Sequence, residues 1–396
     1  MSIWKSFKKI IKNEDTNQAS LIFDTVQYYW KNIPDKKYKN WVAVYSQKLK
    51  APCYIKNSFP YMLQIEPTNM CNLNCPLCPA GRNELGRKRQ HMKLKEFKSI
   101  IDDMEDFLLF LVLWEWGEPF LNPELPDMIQ YASERGIKTV TSTNAHFLLD
   151  NDYVSRILKS GLSTLIVAID SLKQDEYKKY RIGGNLGKAI MGLKNVIRLK
   201  RELKLNTLIN LRMVINKFNE KELKSMKKIA KLLRVDRFTV KTINPSCGLD
   251  GLDGDYIPNN PKFRRYKYKK NTFEPLRISK PCDILWYMCN IHSNGNVVPC
   301  SYDYSGELKF GNVHEKPLSE IWNSETTQNL RKRLYYEKDS ILKCKECTIN
   351  FKLSNTGWFP EYHDFNNTPV EKLLNKAKKY YYSFPIQKIL KKMYRR

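Results

Sequence analysis

The chain has 396 residues, enough for two or three domains at about 150 residues each. Its 42% hydrophobic and 28% charged residues belong to a folded protein, and only 16 glycines exclude collagen-like or low-complexity architecture. Lys and Arg number 68 against 41 Asp and Glu, a net charge of +27 that speaks for anionic partners and says little about fold.

Residues 1–57 are rich in Lys and aromatics. Trp4, Phe7, Ile10 and Ile11 fall at helical spacing, which predicts a basic helical extension. Met1 to Lys12 has neither the apolar run nor the cleavage site of a signal peptide. Ten cysteines in such a chain point to a reducing, cytoplasmic setting where clustered thiols bind metal.

Over 58–243, short apolar runs alternate with amphipathic helices. Strands are expected at 61–66, 108–114, 137–143, 164–170, 207–214 and 236–242. Helices are expected near 95–106, 124–135, 151–159, 187–204 and 219–233. Phe107 to Trp114 is the longest apolar run, too short to span a bilayer and better read as a buried strand. Six strands with helical crossovers imply a mostly parallel sheet in an α/β fold. Eight units make a closed barrel, so an open, partial (β/α)6 barrel is expected.

Residues 244–281 are rich in Gly, Pro, Asn and Asp and then turn basic, as a linker or ordered loop would. Residues 282–350 hold five cysteines between short apolar runs and read as a small irregular metal-binding domain behind the barrel. Residues 351–396 form a basic extension, helical in pattern from 370. Its Lys and aromatic residues suit peripheral membrane contact, or equally a solvated tail. No nucleic-acid-binding module is recognisable.

Cys71, Cys75 and Cys78 spell C-x3-C-x2-C directly after the first expected strand. Three thiolates on one loop can face one point and suit a cubane cluster with one open iron, whereas a closed zinc site wants a fourth ligand. Farther on, Cys282, Cys300, Cys344 and Cys347 form C-x17-C-x43-C-x2-C around the element Gly295 to Cys300. Four thiolates suit a second cluster or a tetrahedral zinc. Cys289 competes with Cys282 for the first position, which favours Cys282 because it follows Pro281 and keeps the spacing to the G-x4-C element. Cys53 and Cys247 are singletons, read as free thiols.

The first motif, in the context IEPTNMCNLNCPLCP, resembles the signature of the radical S-adenosylmethionine (SAM) enzymes that carry C-terminal auxiliary-cluster domains. The resemblance covers about residues 58–350. It implies SAM and two [4Fe–4S] clusters as cofactors, reductive cleavage of SAM to a 5′-deoxyadenosyl radical, and hydrogen abstraction from substrate. An electron donor such as flavodoxin or ferredoxin is implied with it. Trp116-Gly117-Glu118-Pro119 resembles the family's G-G-E-P, which binds the methionine ammonium through Gly117 and Glu118; Trp116 departs from it. By the same likeness, Thr143 and Asn144 lie near the cofactor, and Asp170 and Ser171 stand where relatives bind the ribose. Arg181 would pair with the methionine carboxylate, and Val214 to Asn216 would lie near adenine. Asp170 and Ser171 also read as a helix N-cap, and Arg181 as a solvated charge.

The second set resembles auxiliary-cluster domains. The full form has further cysteines after the C-x2-C. Here TINFKLSNTGW follows Cys347, so one auxiliary cluster is expected, in the shortened "twitch" form of the aminocyclitol dehydrogenases. The expected activity is a redox-balanced oxidation of a small molecule: a sugar, an aminocyclitol or a sugar-linked compound. A peptide maturase and a zinc-binding interaction protein are the alternatives. Such an oxidation needs a base, and Asp303 and Arg181 are candidates by position.

Overall fold

In the computed structural model, the residues described are 33–50, 57–244, 253–264, 266–269, 272–275, 282, 284–345, 347 and 361–365. Helix α1 (Asp35–Lys50) lies in the expected N-terminal extension. Trp4, Phe7, Ile10, Ile11, Cys53, Cys247 and the tail from 370 lie outside the described residues. Among the described residues, no helix is long and apolar enough to cross a membrane.

All six expected strands form: β1 (Met62–Ile65), β2 (Phe110–Leu113), β3 (Lys138–Thr143), β4 (Thr164–Ala168), β5 (Leu208–Ile215) and β6 (Arg237–Thr242). The crossovers hold α2 (Leu94–Met104), α3 (Leu125–Glu134), α4 (Asn151–Lys159), α5 (Gln174–Tyr180), α6 (Leu186–Glu202) and α7 (Leu223–Leu232). Helix α5 is unforeseen, because QDEYKKY buries only Tyr177 and so carries no apolar period. Strands β1 to β6 pair in parallel in sequence order. The sheet is open, so the partial barrel holds.

The sheet runs farther than the sequence suggested. Past the short helix α8 (Asp253–Tyr256), β7 (Tyr266–Lys269) and β8 (Thr272–Pro275) pair antiparallel. Strand β9 (Met288–Ile291) then adds in parallel to the free edge of β1. Strands β10 (Asn296–Val298) and β11 (Gly311–Asn312) continue antiparallel. Helices α9 (Leu318–Asn323), α10 (Glu325–Tyr336) and α11 (Leu342–Lys345) follow, and β12 (Glu361–Asp364) pairs antiparallel with β6. The ten strands run β11-β10-β9-β1-β2-β3-β4-β5-β6-β12. The cysteine-rich segment therefore shares the barrel sheet instead of lying behind it, and residues 361–364 of the basic extension form an edge strand.

Alternation along the strands sends Leu63, Leu111, Leu165, Leu211 and Val240 into the apolar core with Ile101, Ile129 and Leu193 of the helices. The other face carries Gln64, Asn210, Arg212, Arg237 and Thr239, all buried. That face is polar, and its rim at the carboxyl ends of the strands is where α/β folds bind ligands.

Candidate active site and cluster sites

The loop after β1 wraps Cys71, Cys75 and Cys78 around one corner of that rim. Leu73 donates its N–H to Cys71 Sγ at 3.4 Å, and the Arg181 guanidinium lies 3.9 Å from Cys75 Sγ. Burial pushes the Cys71 thiol up to about 12 and raises Cys75 as well. A bound metal reverses that preference, because a coordinating thiol is deprotonated.

The strap after β2 closes on this loop. Gly117 has φ +141°, and a Cβ there would sit 2.3 Å from the Thr68 carbonyl oxygen and 2.9 Å from that of Met70. Only glycine fits this approach. Glu118 donates its N–H to the Met70 carbonyl at 2.8 Å. Its carboxylate, 2% exposed, accepts from the N–H of Asn144 at 2.7 Å and of Phe120 at 3.2 Å. Burial lifts Glu118 to about 7, so a cation beside it would be welcome. Asn144 also reaches Asn72 at 2.7 Å and Cys71 Sγ at 4.0 Å, so β3's end touches the cysteine loop. Trp116, the departure from the family pattern, donates its indole N–H to the Ser301 carbonyl at 3.0 Å and packs edge-on to Tyr304. It ties the strap to the loop that follows Cys300.

Asp170 and Arg181 find each other. Asp170 accepts from Arg181 Nε at 2.5 Å and from the Val214 N–H at 2.7 Å. Although burial opposes it, Asp170 and Cys75 hold the guanidinium well above its ordinary range. Arg181 is thus a buried ion-pair member and not a solvated charge. The Ser171 hydroxyl donates to Glu222 at 3.0 Å and accepts from the Lys173 N–H, so it builds the turn before α5. Asn216 accepts from the Phe218 N–H and builds the turn after β5.

The second cysteine set lines one cavity: Cys282, Cys300, Cys344 and Cys347, with Ile284, Leu308 and Leu334. Cys289 points elsewhere, on β9 in register with Leu63, fully buried in the apolar core. Burial and the neighbouring thiols push Cys300 far up, and burial pushes Cys344 up to about 11. Asp303, the other base candidate, accepts from the N–H groups of Glu307 and Leu308 and meets Lys343 at 3.3 Å. Its carboxylate braces the loop after Cys300 against α11. None of the eight described cysteines is in a disulfide. Three thiols share the loop after β1 and four line one cavity, the ligand type and number that two iron–sulfur clusters use.

Sequence reasoning passed over a third cluster of buried groups. Glu66 takes both arms of Arg87 at 2.7 and 2.8 Å and accepts from Ser293. Glu115 and His292 stand beside it, 3.8 Å apart. Glu115 immediately precedes the Trp116–Pro119 strap, the one cue the sequence offered.

Residues 65–230 match the model of the radical SAM superfamily, and residues 282–348 match that of the SPASM iron–sulfur cluster-binding domain. Fe-coproporphyrin III synthase of Methanosarcina barkeri is 25% identical over 71% of this chain and 78% of its own length. The tungsten-containing aldehyde ferredoxin oxidoreductase cofactor-modifying protein of Pyrococcus furiosus is 27% identical over 72% and 87%. Among solved structures, SuiB of Streptococcus suis bound to S-adenosylmethionine aligns with a TM-score of 0.57 at 17% identity, covering 88% of this chain and 83% of that one.

Proposed function

We propose, from the premise that this chain is a radical SAM enzyme with a SPASM iron–sulfur domain, that it oxidises a small molecule bearing anionic groups. SAM and iron–sulfur clusters are the cofactors of these two domains. Bound together in the core, they supply a 5′-deoxyadenosyl radical that takes hydrogen from substrate.

The chain's own residues do the rest. Cys71, Cys75 and Cys78 would hold the core cluster, and Cys282, Cys300, Cys344 and Cys347 the auxiliary one. Glu118 would hold the methionine ammonium beside Gly117 and Asn144, and Arg181, fixed by Asp170, would present its guanidinium to the methionine carboxylate. Ser171 and Asn216, already engaged in their turns, would shape the walls of the ribose and adenine pockets. Trp116, bonded to the Ser301 carbonyl, would help hold the strap against the auxiliary domain.

The observation that carries this reading is the pair of cysteine sets, one at the sheet rim beside Glu118 and one around its own cavity. Arg212, Arg237 and Lys241 on the inner face of β5 and β6 support an anionic substrate. A phosphate-bearing sugar and a carboxylated tetrapyrrole both meet that description, the second favoured by the name of the M. barkeri relative. Anaerobic reconstitution should give about eight irons per chain. Cys75→Ala should abolish 5′-deoxyadenosine formation, and Cys300→Ala should remove about half of the iron. Formation at wild-type rate in Cys75→Ala refutes the core assignment.

A further inference from the structure

Three neighbouring parallel strands end side by side in the order β9, β1, β2, and each end carries an ionisable group: His292, Glu66 and Glu115. Glu66 is fully satisfied by Arg87 and Ser293. The other two are not. Glu115 accepts from Asn290 Nδ2 at 2.7 Å through one oxygen, and the Ser301 hydroxyl also stands beside its carboxylate. Among the described residues, Glu115 Oε2, both ring nitrogens of His292 and Asn290 Oδ1 have no hydrogen-bond partner, although the side chains of Glu115 and His292 are wholly buried. A fold gains nothing from so many unmet polar atoms in one place, and functional sites are where they are tolerated. The cluster also lies between the two cofactor domains. Asn290 donates to Ser301, the neighbour of Cys300, while Glu115 sits one residue before Trp116 of the strap.

We propose that Glu115, held by Asn290 and facing His292, is the proton acceptor of this enzyme's oxidation, coupled to the auxiliary site. The proposal rests on the two-cluster reading above. As the substrate radical is oxidised, its heteroatom–hydrogen bond breaks: the proton goes to Glu115 Oε2 and the electron to the auxiliary iron–sulfur cluster. Burial, and then the negative charge of Glu66, lift Glu115 to about 8, close to the working pH that suits a general base. Burial drives His292 down to about 4, so it faces Glu115 as a neutral imidazole able to donate to the carboxylate. The charged groups around the pair are Glu66 and Arg87 from the loop after β1 and, more remotely, Lys343 of α11.

The test needs no substrate. In the reconstituted enzyme, the reduction potential of the auxiliary cluster is followed by redox titration with electron paramagnetic resonance between pH 7 and 9.5. It should be level well below pH 8, where Glu115 already holds its proton and accepts none, and the ionised fraction able to act as base grows as the pH nears 8. Above that it should fall by up to 59 mV per pH unit, the one-electron equivalent of a tenfold change. Glu115→Gln should remove the slope. Should that variant fail to fold, infrared spectra of Glu118→Gln, which removes the other raised carboxyl, should show a protonated carboxyl band that fades between pH 7 and 9. A potential flat throughout, a slope surviving in Glu115→Gln, or the absence of that band overturns the proposal. Iron for only one cluster overturns the two-cluster reading with it and is told apart by the metal count.

Discussion

Gly117→Ala tests the contact that joins the strap to the cysteine loop. An added methyl would stand 2.3 Å from the Thr68 carbonyl oxygen, where a carbon and a carbonyl oxygen settle at about 3.3 Å. One side must therefore yield by about 1 Å. Both partners are backbone, so no side chain can swing aside, and Glu118 moves with its neighbour. A misplacement of that size costs on the order of 100-fold in rate, and the φ of +141° adds about 1–3 kcal/mol of strain. The assay is 5′-deoxyadenosine formation after chemical reduction with SAM, read by mass spectrometry beside iron content and a thermal melt. Gly136→Ala is the control: its φ is +66°, but an added Cβ meets nothing within 4 Å, so it should lose some stability and keep its rate. A Gly117→Ala enzyme within about twofold of wild type, or a Gly136→Ala enzyme equally crippled, would refute the reasoning.

Other expectations follow from the same geometry. SAM binding should weaken as pH falls below about 7, approaching tenfold per pH unit as the Glu118 carboxylate takes up a proton, and calorimetry with Glu118→Gln should show a flat profile. Because burial raises this carboxyl instead of lowering it, its ionisation costs stability as pH rises from about 4.5 to about 7, and Glu118→Gln should remove that slope in a pH series of melts. Arg181→Met should cost about 3–5 kcal/mol by stranding Asp170 in the interior. The double variant with Asp170→Asn should recover part of this in denaturant unfolding; simple additivity would dismiss the ion pair. Asp303→Asn should lower the melting temperature and loosen iron at the auxiliary site, yet leave 5′-deoxyadenosine formation intact, because its carboxylate braces a loop.

The six core strands were legible because each is a short apolar run with its own turn signals, a local property. Helix α5 was not, since one buried tyrosine makes no period. The cysteine spacings were legible for a related reason: ligands close in sequence must be close in space, whatever the fold does. Cys289 against Cys282 was a different matter. Both lie near the G-x4-C element, and only the pairing of β9 with β1 shows that Cys289 is locked in the apolar core while Cys282 faces the cavity.

What the sequence by itself determined is the chemistry within single loops: three thiols after β1, a glycine and an acid after β2, and the open run of parallel strands beneath them. The tertiary structure decided which distant groups share a proton or a charge. It bound Arg181 to Asp170, gave Ser171 to Glu222, turned Asp303 into a brace, and set Glu115 beside His292 across 177 positions of chain (292 − 115). Such partners are fixed by strand order and register, and a sheet edge that accepts β9 next to β1 leaves no local trace in either segment.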